Sequence, residues 1–399
     1  MLYKREVTID NTSNSDNLTD YQVKIELNST NFDFTHASND GNDVRFKDSD
    51  DTTYLYYWIE KWDSSNQEAI LWVKVPSIPA SSNKTIYMYH GDTSGGYTSN
   101  GDNTFDFFDG FDGTEIDTNK WDIKGSSSNL TLSNSILDIH ITEYDGSSFY
   151  KISNGIVSKN NEIEVGQILE ARSKGDSAKR SRFVFVGANG NDGVIHPGWS
   201  NTEKGFSITQ TNTTPDAYTE SYDTERKYTS LYDISYSNWH IYRIDYIDAD
   251  TLKFYIDNAL KATHTGSYVP SIARKPVLGG CDYQDTNFHI TYDWVRVRKY
   301  TDPEPTITVG NEEEATSIYI SGQVTLSGNP VQGAIVRAIC QDDETYAKDN
   351  TTDENGNYMI TGLDITKKYH IVVEYTDPNT GQKYNAESKW NITPIESSS

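Results

Sequence analysis

The sequence predicts an all-β protein of three tandem β-sandwich domains, and three observations carry that expectation. Strand-like segments with period-two alternation, broken by Gly, Asn, Asp and Ser, run from one end to the other. No amphipathic helix longer than a few turns interrupts them. Aromatic residues make up 12% of the chain, with 28 Tyr and 8 Trp, beside 35% hydrophobic residues, a composition that suits half-buried strands and exceeds what a disordered chain carries. At 399 residues the chain is long enough for several domains, each burying its own core.

The net charge of -25 makes nucleic acid a poor candidate partner, because nonspecific phosphate binding comes from Lys and Arg. Two cysteines, Cys281 and Cys340, fall in different expected domains, so no disulfide framework is expected. No apolar run approaches the roughly 18 residues of a membrane span, and membrane insertion is not expected. The opening "MLYKREVTID" enters strand pattern directly without a secretion signal, which tilts the expectation toward a virion component released by lysis.

The first domain is expected over residues 1–101, with alternating runs such as "YQVKIEL" and "AILWVKVPSI". Its segments "DGNDVRFKDSDDTTYLYYWIEKWD" and "VKVPSIPASSNKTIYMYHG" resemble a domain of unknown function that recurs in archaeal and bacterial surface proteins and in some of their viruses. That resemblance implies a location more than a reaction. The cluster Tyr54, Tyr56, Tyr57, Trp58, Trp62 and Trp72 has two readings: a sugar-stacking platform, or core aromatics of a small sandwich, which burial statistics favour. Asp48, Asp50 and Asp51 lack the Gly and distal Glu of a calcium loop and read as a hairpin turn.

The middle domain is expected over residues 102–311. The stretches "FDGFDGTEIDTNKW", "WHIYRIDYIDADTLKFYIDNALKATHT" and "YDWVRVRKY" resemble, in their order and separation, a concanavalin-A-like jelly roll, the fold of laminin-G-type modules, legume lectins and family-16 glycoside hydrolases. Those hydrolases use two carboxylates about 5 to 5.5 Å apart across a cleft, carried in the family on one strand as Glu-x-Asp-x-x-Glu. Here Glu115-Ile116-Asp117 and Glu143-Tyr144-Asp145 each lack the final Glu and come too early in the fold. Glu162 and Glu164 in "NEIEVGQILEARS" share one strand face, which a solvated outer face explains. The expectation is therefore a scaffold without the family's chemistry, and no enzyme.

Binding could remain. In "NDGVIHPGWSNTEKGFSITQTNTTPDAYTESYD", Trp199, His196, Tyr218 and Tyr222 are interleaved with Asn, Thr and Asp, giving stacking surfaces beside hydrogen-bonding groups that suit a glycan; a decorated loop is the competing reading. Eight histidines occur with none at ligand spacing, so zinc is not expected. In the resembling hydrolases, the Asp of the terminal "DWVRV"-like strand binds a structural Ca2+, which implies calcium at Asp293, with Asp112 as a second candidate.

"TDPEPTITVGNEEEATS", with two prolines and three consecutive glutamates, reads as an exposed connector. The third domain, residues 312–399, carries "SGQVTLSGNPVQGAIVRA", "TTDENGNYMITGL" and "YHIVVEY", and resembles the transthyretin-like regulatory domain of carboxypeptidases, a spacer or stalk module. Gly328-Asn329-Pro330 and Asn355-Gly356 supply its turns.

The composite expectation is a non-enzymatic, extracellular, surface-displayed protein, a virion tail fibre, spike or capsid decoration that binds host surface glycans and other structural proteins as a homo-oligomer. The alternatives are a cell-surface adhesin of an archaeon or bacterium, and a divergent glycoside hydrolase.

Overall fold

A computed structural model describes residues 2–91, 96–141, 154–160, 163–175, 181–189, 204–210, 217–231, 235, 237–282, 288–315, 318–342, 344–378, 380–385 and 389–396. Strand is the dominant element of the described residues; the single α-helix among them, Gly101–Thr104, is four residues long and capped by the Asn100 side chain.

The first sandwich packs a three-stranded sheet, Leu18–Asn28, Glu68–Ile78 and Tyr57–Asp63, on a five-stranded one. Alternation predicts its core: Val7, Ile9, Val23, Ile25, Leu71, Val73, Ile86 and Met88 are all buried between the sheets. Asp50 accepts hydrogen bonds from the Thr52 and Thr53 amides at 2.9 and 2.8 Å, so the acidic run is a capped hairpin turn.

The edge of the five-stranded sheet comes from far along the chain. Thr306–Glu314 pairs antiparallel with Leu2–Asp10, from Tyr3↔Glu314 to Asp10↔Thr306. The stretch expected to be an exposed connector is thus a sheet strand, and the jelly roll is an insertion between two parts of one sandwich. Of the three glutamates Glu313 and Glu314 are exposed, but Glu312 is placed by its partners: it accepts from Arg5 at 3.1 Å and lies 2.6 Å from His36 Nδ1 and 3.2 Å from the buried His90.

The middle domain is a jelly roll of two antiparallel sheets. One contains eight strands, with Phe288–Lys299 near its centre; the other has seven, in the order Arg226–Leu231, Ala217–Tyr222, Gly205–Gln210, Ser181–Asn189, Lys275–Asp282, Asn154–Ser158, Trp121–Lys124. The hairpin His240–Asp248 with Thr251–Ile256 pairs Ile244 with Phe254 and Tyr246 with Leu252, all fully buried in the shared core.

Phe288–Lys299 carries a bulge that organises the molecule. Arg172 pairs with Trp294 and Ser173 with Tyr292, leaving Asp293 as the extra residue. Ile290 and Tyr292 before the bulge, and Val295 and Val297 after it, all face the jelly-roll core. The phase change turns Trp294, Arg296 and Arg298 outward, where the first sandwich covers them.

The C-terminal domain sandwiches small sheets built on Ile318–Gln323 and on Ile335–Cys340, with Ile320, Val336, Ala338, Ile360 and Ile371 between them. Gly356 has φ +74, and a Cβ there would lie 2.5 Å from the Val324 carbonyl oxygen, so this turn requires glycine.

Candidate functional site

The candidate site lies on the outer face of the seven-stranded sheet, at the edge formed by Gly205–Gln210, Ala217–Tyr222 and Arg226–Leu231. Buried His264 decides which positions face outward. Its ring nitrogens bond the hydroxyls of Ser221 at 2.7 Å and of Thr219 and Thr229 at 3.1 Å, inside the sandwich. Period-two alternation then puts positions 218, 220, 222, 226, 228 and 230 on the opposite face. Register aligns them in rows: Thr209, Tyr218 and Ser230; Ser207, Glu220 and Tyr228; Gly205, Tyr222 and Arg226.

Tyr228 is 62% exposed, with the Arg226 guanidinium 5.6 Å from its ring centroid. Beside this face Lys204 pairs with Asp223 at 2.5 Å. Tyr228, Arg226 and Ser230 offer a stacking surface beside hydrogen-bonding groups at this edge, whereas Ser207 and Thr209 in the same rows are fully buried. Of the four residues expected to bind glycan, positions 218 and 222 fall together on this face, while His196 and Trp199 lie outside the described residues. Tyr228 and Arg226 escaped the sequence reading; their signal was the alternation of "ERKYTSL" in phase with a neighbouring strand, which appears only once the pairing is known.

The acidic residues distribute differently from expectation. Within the strands of the seven-stranded sheet, carboxylates occur at Asp122, Glu220 and Asp282, and only Glu220 lies on a strand of the tyrosine edge. Glu164 is exposed and lies outside any strand, before Gln167–Gly175; Glu162, with which it was expected to share a face, lies outside the described residues along with Glu143 and Asp145. Glu115 and Asp117 line a cavity of about 240 Å³ together with Asp102, Asp109, Asp112 and Lys120. Burial pushes the Asp109 carboxyl up, while hydrogen bonds from Trp121 Nε1 at 2.6 Å and the Phe111 amide at 2.8 Å act in the opposite sense.

The two calcium candidates are not brought to one lining. Asp112 lines that acidic cavity, whereas Asp293, on its bulge, pairs with the Arg172 guanidinium. A cation at Asp293 would have to displace Arg172. Among the described residues no group of three or more His, Cys, Asp or Glu side chains converges to hold a metal ion.

The aromatic cluster of the first sandwich divides among three environments. Tyr57 belongs to its core. Trp58 and Trp72 pack against Phe105, Phe108 and Trp294 at the junction with the jelly roll. Tyr56 is on the surface, stacked on Tyr97 at 4.1 Å. At the junction Arg296 lies 4.2 Å from both the Trp72 and Trp294 rings and donates to Glu60 and Glu170, each at 2.6 Å. Arg298 also donates to Glu170, at 3.2 Å. Burial alone would raise the Glu170 pKa, but the two guanidinium groups outweigh it and hold this carboxyl well below the usual carboxylate range.

Residues 40–124 match the family described as a domain of unknown function, DUF2341. No curated protein matches the chain in sequence. Among solved structures, a prokaryotic β-1,3-1,4-glucanase (lichenase) derived from a mouse hindgut metagenome is similar at 15% identity, covering 49% of this chain and 99% of that one, with a TM-score of 0.37. The catalytic domain of an endo-1,3-β-glucanase (laminarinase) from Thermotoga petrophila matches at 17% identity over 50% of this chain and 98% of its own, with a TM-score of 0.37. A Bacillus licheniformis β-glucanase matches at 15% identity, 49% and 98% coverage, and a TM-score of 0.36. The expectation that the chain is no enzyme is corrected by this finding: the similar structures are glucan-cleaving enzymes, and a hydrolytic role stands open.

Proposed function

We propose that the jelly roll engages a glycan along the outer face of its seven-stranded sheet. The observation that carries this reading is the register that sets Tyr222 and Tyr228 on one face with Arg226 and Ser230, with Tyr228 62% exposed. Each tyrosine position can stack on the C–H face of a sugar ring, and the neighbouring hydroxyls and guanidinium can fix its orientation. A second reading, a divergent glycoside hydrolase, is favoured by Glu220, the carboxylate on the tyrosine edge in the same row as Tyr228. It would need a partner carboxylate about 5 to 9.5 Å away, the separation setting the stereochemical outcome.

One assay separates the readings: binding of the protein to a panel of polysaccharides, with released reducing sugar measured in parallel. Tyr228→Ala is expected to weaken binding about 10-fold, roughly 1.4 kcal/mol. Sugar release that Glu220→Gln abolishes while binding persists would establish cleavage. Saturable binding without release would establish a lectin-like role, and no binding on any glycan would overturn both.

We extend the proposal to extracellular display on a virion or cell surface, supported by a build of three β-sandwich units in one chain. Labelling intact particles and intact cells with antibody to the C-terminal domain tests it, and an absence of label from both would sink it.

A further inference from the structure

We propose that His140 and His289 form a binding site for a divalent transition metal of the zinc, copper and nickel class on the eight-stranded sheet of the jelly roll. In sequence the two residues are far apart. Strands Ile136–Ile141 and Phe288–Lys299 are antiparallel neighbours, and their register sets His140 directly opposite His289. On both strands the flanking residues are buried, Ile139 and Ile141 on one and Phe288 and Ile290 on the other, so both histidines project from the outer face and are partly exposed.

The two imidazoles lie parallel, 3° apart, with centroids separated by 4.4 Å. Two nitrogens bound to one tetrahedral zinc at 2.0–2.1 Å stand roughly 3.4 Å apart. Stacked as they stand, the two rings do not converge, and rotation about the side-chain torsions of each histidine must turn its ligating nitrogen toward a shared point; the strand register already holds the two residues directly opposite one another.

Asp138 supplies the second observation. It sits two residues before His140, diagonal to His289 across the strand pair, and its carboxylate is 2.7 Å from His289 Nδ1. An ionised carboxylate only accepts, so Nδ1 carries the proton and, in the neutral ring, Nε2 keeps the lone pair. Metal-bound histidines are oriented this way by an outer carboxylate, which fixes the tautomer and raises the basicity of the ligating nitrogen. Since no third His, Cys, Asp or Glu converges among the described residues, water completes the coordination there, and the site is an exchangeable one.

The test uses the full chain stripped with chelator, then titrated with Zn2+ against a chromophoric competitor. One equivalent is expected to bind saturably and to raise the thermal midpoint, with Mg2+ giving neither effect, which sets the site apart from diffuse attraction to an acidic surface. His140→Ala and His289→Ala are each expected to weaken binding at least about 10-fold, and Asp138→Asn about 10- to 100-fold, while His240→Ala leaves it unchanged. Electron paramagnetic resonance of the unaltered protein with one equivalent of Cu2+ provides a readout that no variant's folding can confuse: equatorial coupling to two imidazole nitrogens is expected. Absence of nitrogen coupling, or zinc binding undiminished in the double alanine variant, overturns the proposal.

Discussion

The two junctions of this chain are built on opposite principles. Between the first sandwich and the jelly roll, Arg296 is clamped by two tryptophans and two glutamates, and the returning strand Thr306–Glu314 completes the first sheet. Past Glu314 no strand of the C-terminal domain pairs with a strand of the other two among the described residues. A domain inserted within another must have both its ends anchored, so the first junction welds two folds into one unit. A domain added in series needs only a covalent link. The buried charges at the first junction are costly to desolvate and become tolerable only as a complete set, which makes that interface intolerant of partial change.

The largest effect should come from breaking the weld. Deleting residues 306–314 together with the C-terminal domain removes the partner of Leu2–Asp10 and leaves Arg5, His36 and His90 without Glu312. The expected outcome is loss of cooperative unfolding and aggregation through the exposed strand edge, whereas deleting residues 318–399 alone should leave the midpoint of the remaining unit within a degree or two. Calorimetry of the two truncations decides whether the domains differ as described.

Next in size is Glu170→Ala, which removes the carboxylate shared by Arg296 and Arg298 and leaves each with one remaining acidic partner, Glu60 and Glu304. A loss of about 3–5 kcal/mol is expected from removing one partner of a buried ion cluster, read by urea unfolding. A loss under 1 kcal/mol would mean that water enters the junction and that the weld is weaker than its geometry implies.

The smallest effect is a pH dependence within the first sandwich. Burial pushes the His90 imidazole below its usual 6.5, against the opposing attraction of Glu312. Above that value His90 is neutral in both folded and unfolded chains, and its full contribution is present. As pH falls below it, the unfolded chain takes up a proton that the folded one resists, and stability is lost. Urea midpoints between pH 7.5 and 5.5 should therefore fall in the unaltered protein and fall less in His90→Phe. Equal slopes would place the titration elsewhere.

Much of this was legible in the sequence because alternation is a local property. Ile244, Tyr246, Leu252 and Phe254 declare their burial within one hairpin, and Gly356 declares its turn. The same pattern misled where its partner was remote. "TITVGNEEE" reads as solvated because its glutamates have no local partners, and the return to Leu2–Asp10 cannot be seen from either strand alone. Trp58 and Trp72 read as core or platform, and they became junction residues because the bulge at Asp293 turned Trp294 and Arg296 toward them. The calcium reading of Asp293 met the same bulge, which gives that carboxylate Arg172 as a neighbour.

By itself the sequence determined the all-β class, the order of three sandwich-forming segments, their core faces and their tight turns, since each depends on side chains within a few residues of one another. Tertiary structure alone decided that one domain is inserted into another, that Tyr222 and Tyr228 share a face, and that His140 meets His289. These are pairings across strand registers, and register is set by the packing of whole sheets, which no short window of sequence contains.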